Sequence, residues 1–368
     1  MLIFLGIAIL IYGSMHLYAL SKMWLAFPHT TGLLIALALT GIAMTLSPLL
    51  VWFTGRQEWH GTTVIASWVT YTWMGLLLLF CLIALLFDIG YLAANLFSIN
   101  WPLSNATSLL SISLLALAML GYGLLEARQL RVEKITLTTT KLASGKITIA
   151  QLSDMHLGAM LGDAYLDRIV AKLHELKPDI IVATGDIVDG QGDDLHALAQ
   201  HFHALKPPKG AYAIIGNHEF YAWLDNSLHF LNNAGFTVLR GESVATGGIM
   251  LAGIDDPSAG AIAKDFSANT RKTLITAHQN TFIVLLKHQP RIDDDIPFDL
   301  QLSGHIHGGQ IFPIAFITRM VYGIDAGLTQ LTGGRLLYTS RGAGTWGPPI
   351  RIFAPPEITL ITIASEKK

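Results

Sequence analysis

The chain has 368 residues, of which 52% are hydrophobic and only 14% are charged, whereas an average soluble chain carries about 25% charged residues. A net charge of −2 at pH 7 argues against nucleic acid as a partner. The single cysteine, Cys81, leaves neither a disulfide framework nor a cysteine-based metal site available.

Four apolar stretches occupy the first third of the chain, at residues 2–20, 31–53, 64–87 and 106–125. None of them contains Lys, Arg, Asp or Glu, and about 20 apolar residues suffice for a helix to cross a bilayer. A cleaved signal peptide is the alternative for the first stretch, but this stretch lacks a basic start and a clear cleavage site. We therefore expect residues 1–125 to form a transmembrane domain with four helices.

The charges that flank these stretches predict the orientation of the chain. With four spans, one side carries most of the flanking basic residues, namely Arg56, Arg128, Arg131 and Lys134. The opposite loops carry only Lys22, so the positive-inside rule places the following domain in the cytoplasm, as expected for a bacterial inner-membrane protein. Inside the first span, His16 is interpreted as a neutral residue packed between helices, although intramembrane histidines can be functional.

From residue 134 onward, short β-rich runs alternate with amphipathic stretches. Strands are predicted at KITIAQLSD, DIIVATGD, AYAIIGN, GIMLAGID, TFIVLLKH, FDLQLSGH, RLLYTS and EITLITI. Helices are predicted across residues 166–176, 196–205 and 228–233. This pattern predicts a layered α/β sandwich at residues 134–368, with residues 126–133 as the linker to the membrane domain.

Five of the predicted strands end in polar clusters. They are DMH (154–156), GDIVD (185–189), GNHE (216–219), KH (287–288) and GHIH (304–307). Ligands of an open α/β sheet bind beyond the carboxyl ends of its strands, so these clusters are expected to converge. Carboxylates, imidazoles and an amide oxygen, without a thiolate, form a donor set suited to Mn, Fe or Zn.

Histidine spacing alone does not establish a metal site. His201 and His203 have the same spacing as His305 and His307, yet they lie in a predicted amphipathic helix and follow no strand. We interpret this first pair as a solvated or partly packed helix face. The second pair differs because it accompanies four other clusters, each at the end of an apolar strand.

The five clusters, in this order, resemble the motifs of the calcineurin-like metallophosphoesterases. The continuation GHIHGGQ, followed by YTSRGAG, PPIR and APPEI, is similar to the bacterial membrane-associated YkuE/YaeI-like branch. The resemblance covers about residues 134–366 and implies a four-layer α-β-β-α sandwich. It does not extend to the apolar stretches, whose role cannot be carried over from the family.

The resemblance also implies a centre with two metal ions. One ion would be bound by Asp154, His156 and His307, the other by Asn217, His288 and His305, with Asp186 bridging both. His218 would act in catalysis by stabilising developing charge or protonating the leaving oxygen. Four further residues are expected to orient ligands or contact substrate: Asp189 and Glu219, and, as phosphate contacts or equally well as ion pairs, Arg341 and Arg351.

These expectations describe a membrane-anchored phosphoesterase with two Mn, Fe or Zn ions. Attack by a hydroxide that bridges the ions would hydrolyse a phosphomonoester, phosphodiester or pyrophosphate. Four spans exceed what tethering needs, which favours a lipid-linked substrate and the bilayer as a partner. The alternatives are an enzyme for soluble nucleotides or sugar phosphates, and a membrane sensor or scaffold with a structural metal site. The oligomeric state is not indicated.

Residues 311–330 follow the last metal motif and are rich in apolar and aromatic side chains. Two interpretations are open for this segment. It forms either a loop that gates substrate or faces the membrane, or an ordinary buried connection.

Overall fold

A computed structural model of the chain describes residues 2–189, 195–221 and 223–366. The chain divides into two compact units. One is formed by Met1–Leu125 together with Gly347–Ile350, and the other by Glu126–Trp346 together with Arg351–Lys368.

Four long helices come first in the chain: α1 (Leu2–Ala26), α2 (Thr31–Arg56), α3 (His60–Leu96) and α4 (Asn105–Glu126). Each contains one predicted span and extends beyond it. Within the described residues, α2, α3 and α4 are long and apolar enough to cross a membrane. The span predicted at residues 2–20 lies in α1 and stays a prediction.

His16 is packed between helices of this unit. Trp73 of α3 donates a hydrogen bond from Nε1 to His16 Nε2 at 2.9 Å, and His16 Nδ1 lies 2.9 Å from the carbonyl oxygen of Tyr12. Because Nε2 accepts, the proton belongs on Nδ1, where it is donated to the carbonyl. These contacts fit a neutral histidine with both ring nitrogens satisfied.

Within the described residues, twelve strands form two six-stranded sheets in the second unit, in the orders β1-β12-β2-β3-β4-β5 and β10-β11-β9-β8-β7-β6. The strands are β1 (Arg131–Thr139), β2 (Lys146–Leu152), β3 (Ile180–Thr184), β4 (Ala211–Ile214), β5 (Thr237–Val238), β6 (Glu242–Thr246), β7 (Ile249–Gly253), β8 (Phe282–Leu286), β9 (Leu300–Ser303), β10 (Gly327–Gln330), β11 (Leu336–Thr339) and β12 (Glu357–Ser365). The helices that accompany them are α5 (Asp163–Leu176), α6 (Leu195–Phe202), α7 (Asn217–Tyr221), α8 (Leu224–Asn233), α9 (Ala268–Ala277) and α10 (Ile314–Tyr322).

The two sheets pack face to face with helices outside them. Alternate residues such as Ile149 of β2 and Val284 of β8 meet in the core between the sheets. The opposite face of the first sheet packs on α5, α6 and α8 through residues such as Leu166, and α9 contributes Leu274 to a third core on the second sheet. This arrangement confirms the predicted four-layer α-β-β-α sandwich.

The structure shortens one predicted connection and excludes one of the two interpretations left open for residues 311–330. The linker is shorter than residues 126–133, because α4 ends at Glu126 and β1 already begins at Arg131. β1 is an edge strand that alternates exposed residues with half-buried ones and pairs along its whole length with β12, a partner far away in sequence.

The segment 311–330 is not a buried connection, since it forms α10 and β10 and no side chain of α10 is buried.

Candidate metal centre

The loops after five strands meet at one edge of the sandwich. β2, β3 and β4 run parallel in the first sheet, as β8 and β9 do in the second, so their carboxyl ends lie together. The structure brings together all seven residues predicted as metal ligands: Asp154, His156, Asp186, Asn217, His288, His305 and His307. The roles of these residues toward an ion stay predictions.

One group consists of Asp154, His156 and His307, and all three residues are buried. Nε2 of His156 lies 3.1 Å from Nε2 of His307, and the latter atom is 3.4 Å from Asp154 Oδ1. Three potential ligand atoms therefore point at one small volume.

A second group contains Asp186, His288 and His305, with Asn217 beside it. Nε2 of His288 lies 3.0 Å from Asp186 Oδ2 and 3.2 Å from His305 Nδ1. The same His305 nitrogen lies 3.1 Å from the amide oxygen of Asn217. Nδ1 of His288 lies 2.8 Å from the carbonyl oxygen of Thr184, which leaves Nε2 to face the group.

The donor atoms fit metal ions. Adjacent ligand atoms around an ion with bonds of 2.0–2.1 Å lie roughly 2.9–3.4 Å apart, which matches the distances within both groups. The imidazole, carboxylate and amide donors suit Zn, Mn or Fe. The two groups also divide the histidines as predicted, with His305 in one group and His307 in the other.

Five predicted ligands have backbones in the left-handed region: φ is 50° at Asp154, 49° at His156, 53° at Asp186, 72° at His305 and 51° at His307. Non-glycine residues held in such conformations cost about 1–3 kcal/mol each, and such strain gathers at functional sites. These turns allow residues two apart to aim at separate groups, which a regular strand would not permit.

Glycines let the loops approach closely. A Cβ on Gly304 would lie 1.9 Å from Ser153 Oγ and 2.1 Å from Asp154 Oδ2. A Cβ on Gly216 would lie 2.3 Å from Asp186 Oδ1. Both positions therefore require glycine for steric reasons, since any side chain would push a predicted ligand out of place.

Asp189 connects two histidines at the rim of the centre. Its Oδ1 lies 2.6 Å from Nδ1 of His156 and 2.8 Å from Nδ1 of His218. The backbone N–H of His218 donates to Asp186 Oδ1 at 2.8 Å. This geometry agrees with the prediction that Asp189 orients histidines, and it places His218 beside the centre.

The carboxylate of Glu219 accepts hydrogen bonds from backbone N–H groups and not from histidines. Its fully buried carboxylate accepts hydrogen bonds from the N–H groups of Asp186 at 2.9 Å, Ile187 at 2.6 Å and Gly216 at 2.8 Å. These contacts correct the prediction that Glu219 orients a histidine. Its carboxylate joins the loops after β3 and β4, and so positions Asp186 through the main chain.

The carboxylates of the centre favour positive charge on two of its histidines, His288 and His218. Although burial opposes a charged imidazole, Asp186 holds the pKa of His288 well above its ordinary value, and Asp186 with Asp189 raises the pKa of His218 to about 9. The pKa of Asp186 is correspondingly held well below its usual range, against the effect of burial, by His288 and His218. Burial keeps the pKa of His307 well below the ordinary value, so this ring is neutral, the form that binds metal.

Comparison with known proteins agrees with this geometry. Residues 147–309 match the family model described as calcineurin-like phosphoesterase. The chain is 41% identical over 254 residues to a metallophosphoesterase from Aquifex aeolicus, an alignment that covers 68% of this chain and 97% of that protein. The chain belongs to the calcineurin-like phosphoesterase family.

Two further relatives extend the similarity. YkuE of Bacillus subtilis, also named a metallophosphoesterase, is 34% identical over 266 residues, which cover 67% of this chain and 90% of YkuE. A protein from Danio rerio named transmembrane protein with metallophosphoesterase domain is 32% identical over 271 residues, covering 68% of this chain and 62% of its own length. The predicted resemblance to the family and to its YkuE-like branch is confirmed.

Membership of this family establishes the type of reaction, the kind of cofactor and the class of substrate. This metallophosphoesterase is a metal-dependent phosphoric ester hydrolase, with divalent metal ions as cofactors and a phosphoester as substrate. Its apolar helices, together with the relative named as a transmembrane protein, associate it with a membrane.

The two arginines predicted as phosphate contacts serve the metallophosphoesterase fold itself. Arg351 is 0% exposed, and its guanidinium donates twice to the carbonyl oxygen of Gly344, at 2.5 and 2.9 Å. Arg341 pairs with Glu133 and Glu357, each at 2.5 Å. Arg351 is buried and donates to backbone carbonyls, so neither the phosphate contact nor the surface ion pair considered for it describes its contacts in the structure. For Arg341 the ion-pair alternative describes the structure.

The second histidine pair lies apart from the centre. The ring nitrogens of His201 lie 2.9 Å from Asp163 and 2.8 Å from Asp167, two exposed carboxylates on α5. His203 contacts the carbonyl oxygen of Asn233. These are surface contacts between helices, in agreement with the interpretation of this pair as a partly packed helix face.

Three contacts of the centre lie outside the predicted residue set. Ser153 donates to Asp154 Oδ2 at 2.5 Å, and the Thr184 carbonyl faces His288. Both residues lie at the end of a strand that leads into one of the five motifs, so their positions in the sequence could have identified them. Tyr322, whose hydroxyl lies 2.6 Å from His305 Nε2, comes fifteen residues after GHIH on α10 and had no such signal.

Proposed function

We propose that this metallophosphoesterase is anchored by four membrane spans and hydrolyses a phosphomonoester, phosphodiester or pyrophosphate bond of a lipid-linked substrate. The supporting observation is the short connection between membrane helix and enzyme. α4 ends at Glu126 and β1 begins at Arg131, a stretch that reaches at most about 18 Å when extended. Residue 131 is therefore held close to the end of a helix able to cross a membrane, where lipid phosphates lie.

In this proposal, Asp154, His156 and His307 would hold one ion, Asn217, His288 and His305 would hold the other, and Asp186 would serve both. Two such ions, when bound, polarise a phosphoryl group and acidify water. Glu219 and the left-handed turns at the predicted ligands keep these side chains in position before substrate binds.

His218 is proposed as the residue that acts on the leaving oxygen. Its Nδ1 faces Asp189 at 2.8 Å, which fixes the ring and leaves Nε2 for substrate. Its backbone is tied to Asp186, so the imidazole keeps its place next to the predicted ligands. A structural metal site would need no such histidine, which favours an enzyme over a sensor or scaffold.

The basic residues after α4 support a cytoplasmic orientation of the enzyme unit. Arg128, Arg131 and Lys134 follow the last span directly, and Arg56 lies on the same side if four helices cross. We propose the bacterial inner membrane as the location.

The test is a substrate comparison in mixed micelles with Mn²⁺ or Zn²⁺. Isoprenoid pyrophosphates and glycolipid phosphates are compared with their water-soluble headgroup analogues, and the Asp186→Asn variant serves as the metal-centre control. Rates on the lipid should exceed those on the analogue and fall as detergent dilutes the lipid in the micelle surface. Equal rates on both would remove the lipid proposal while leaving the hydrolase intact.

The second candidate is a soluble nucleotide or sugar phosphate. Tyr221 and Trp346 are exposed and make edge-to-face contacts with the His218 ring, with ring centroids 5.5 and 5.9 Å from its centroid. Aromatic rings in this position are suited to pack on a base or sugar of the leaving group. The same comparison separates the candidates, because a soluble substrate would show no dependence on surface dilution.

A further inference from the structure

Helix α10 presents an apolar stripe to the outside of the enzyme unit. Phe316, Ile317, Met320 and Val321 are 59%, 60%, 86% and 63% exposed. Residues at positions i, i+1, i+4 and i+5 share one face of a helix. An exposed apolar helix face of this kind in a well-packed domain marks a contact surface.

The stripe continues beyond the helix through two aromatic residues. The ring of Phe312 contacts Phe316 with centroids 5.6 Å apart and Phe353 with centroids 5.9 Å apart. Phe353 is 71% exposed and has a left-handed backbone with φ 58°. A bulky residue in this conformation is strained. Because the side chain is exposed, its burial does not explain why the strain is tolerated. We call Phe312, Phe316, Ile317, Met320, Val321 and Phe353 the α10 apolar face.

We propose that the α10 apolar face lies in the lipid bilayer interface and is a second membrane contact in addition to the spans. The contact that carries this inference joins Phe353 to Glu126. The backbone N–H of Phe353 donates to Glu126 Oε2 at 2.7 Å. Glu126 ends α4 and follows the 21 uncharged residues of that helix, the position at which a spanning helix leaves the bilayer.

Phe353 is thus hydrogen-bonded to the residue at which α4 would leave the bilayer, and the α10 apolar face is continuous with it. Aromatic residues are enriched at this depth, and amphipathic helices lie with their apolar side about 5–10 Å below the headgroup boundary. Arg319, which is 65% exposed by side chain and pairs with Asp325, stands on the helix outside the stripe, as expected of the water-facing side.

This contact would bring the metal centre to the membrane surface. Tyr322 ends α10, and its hydroxyl lies 2.6 Å from His305 Nε2. The rise from Ile317 to Tyr322 is about 7.5 Å along the helix axis. One short helix therefore connects the lipid contact to a predicted metal ligand, whether or not the substrate is itself a lipid.

The experiment uses the full chain in lipid nanodiscs with Cys81 replaced by alanine, so that one introduced cysteine carries a fluorophore. Ile317→Cys probes the face, and Ile275→Cys is the matched control. Ile275 is also an exposed isoleucine, at 57%, but it lies on α9, which packs on β6 and β8. Met320→Cys, at a position with almost no packing to lose, repeats the measurement if Ile317→Cys does not fold.

Quenching by lipids with a nitroxide near the headgroup is compared with quenching by aqueous iodide. The label at residue 317 or 320 should lose most of its fluorescence to the nitroxide lipid and little to iodide, with the reverse at residue 275. Strong iodide quenching at 317 and 320 would overturn the proposal. Protection from both quenchers would overturn it too, because a protein partner or a second copy of the chain would then cover the face.

Discussion

The hydroxyl of Tyr322 lies 2.6 Å from Nε2 of His305, the ring nitrogen opposite the one that faces His288 and Asn217. A histidine ligand is usually oriented by a hydrogen bond at its second nitrogen, and such partners influence affinity almost as strongly as the ligands do. Tyr322 therefore belongs to the metal centre although it lies outside every motif.

Tyr322→Phe should weaken metal binding about 10–100-fold, because His305 loses the partner that fixes its ring. Competition with a fluorescent chelator measures the affinity. Tyr212→Phe is the control, since its hydroxyl donates to the Lys209 carbonyl away from the centre. An unchanged affinity in Tyr322→Phe would mean that packing alone orients His305.

Gly304→Ala should abolish metal binding without changing any ligand. The added methyl group would overlap Ser153 Oγ and Asp154 Oδ2, which must move for the chain to fold. Gly162→Ala is the control, because a Cβ there meets nothing within 4 Å. Metal content of the purified proteins, measured by mass spectrometry, tests the difference, and a fully loaded Gly304→Ala protein would contradict it.

The parts of the fold that could be predicted are those with local signals. The strands β2, β3 and β4 are apolar runs, and Asp154, Asp186 and Asn217 follow their ends within three residues. Each strand and the functional residue after it can therefore be recognised from a few adjacent residues. Sheet order, by contrast, depends on pairs such as β1 with β12, whose residues are more than 200 positions apart.

Side-chain roles that depend on distant partners could not be predicted. From the sequence, Arg351 was expected to contact phosphate or to form an ion pair, whereas its guanidinium is buried and donates to loop carbonyls. Glu219 stands beside a motif histidine but turns its carboxylate to the N–H groups of another loop. For residues 311–330 the apolar composition was equally consistent with burial and exposure, and only the packing distinguishes the two.

His218→Ala should retain metal but lower turnover by roughly 10²–10⁴-fold. The deficit should be large for a phosphoester with an alkyl leaving group and small for one with a nitrophenyl leaving group, which needs no proton. His174→Ala, at an exposed position on α5, is the control. An equal deficit for both leaving groups would assign His218 to charge stabilisation instead of proton donation.

Arg351→Lys should destabilise the enzyme unit by about 3 kcal/mol or more. A lysine cannot reproduce the forked donation to the carbonyls of Gly344 and Ala354, and it would leave buried acceptors unpaired. Thermal unfolding is compared with that of Arg168→Lys, an exposed arginine on α5. A raised KM with unaltered unfolding would instead return Arg351 to a role in substrate binding.

The topology can be measured with single cysteines in a Cys81→Ala background and a membrane-impermeant maleimide. His29→Cys lies between α1 and α2, and Glu175→Cys lies on the enzyme unit. In intact cells, residue 29 should react and residue 175 should be protected until lysis, because three helices separate them and the basic residues follow the last one. A third cysteine placed ahead of residue 1 tests α1. If α1 crosses, this cysteine is protected like residue 175; if it reacts like residue 29, only α2, α3 and α4 span the membrane. Labelling of residue 175 in intact cells would reverse the proposed orientation and place the hydrolysis on the outer face.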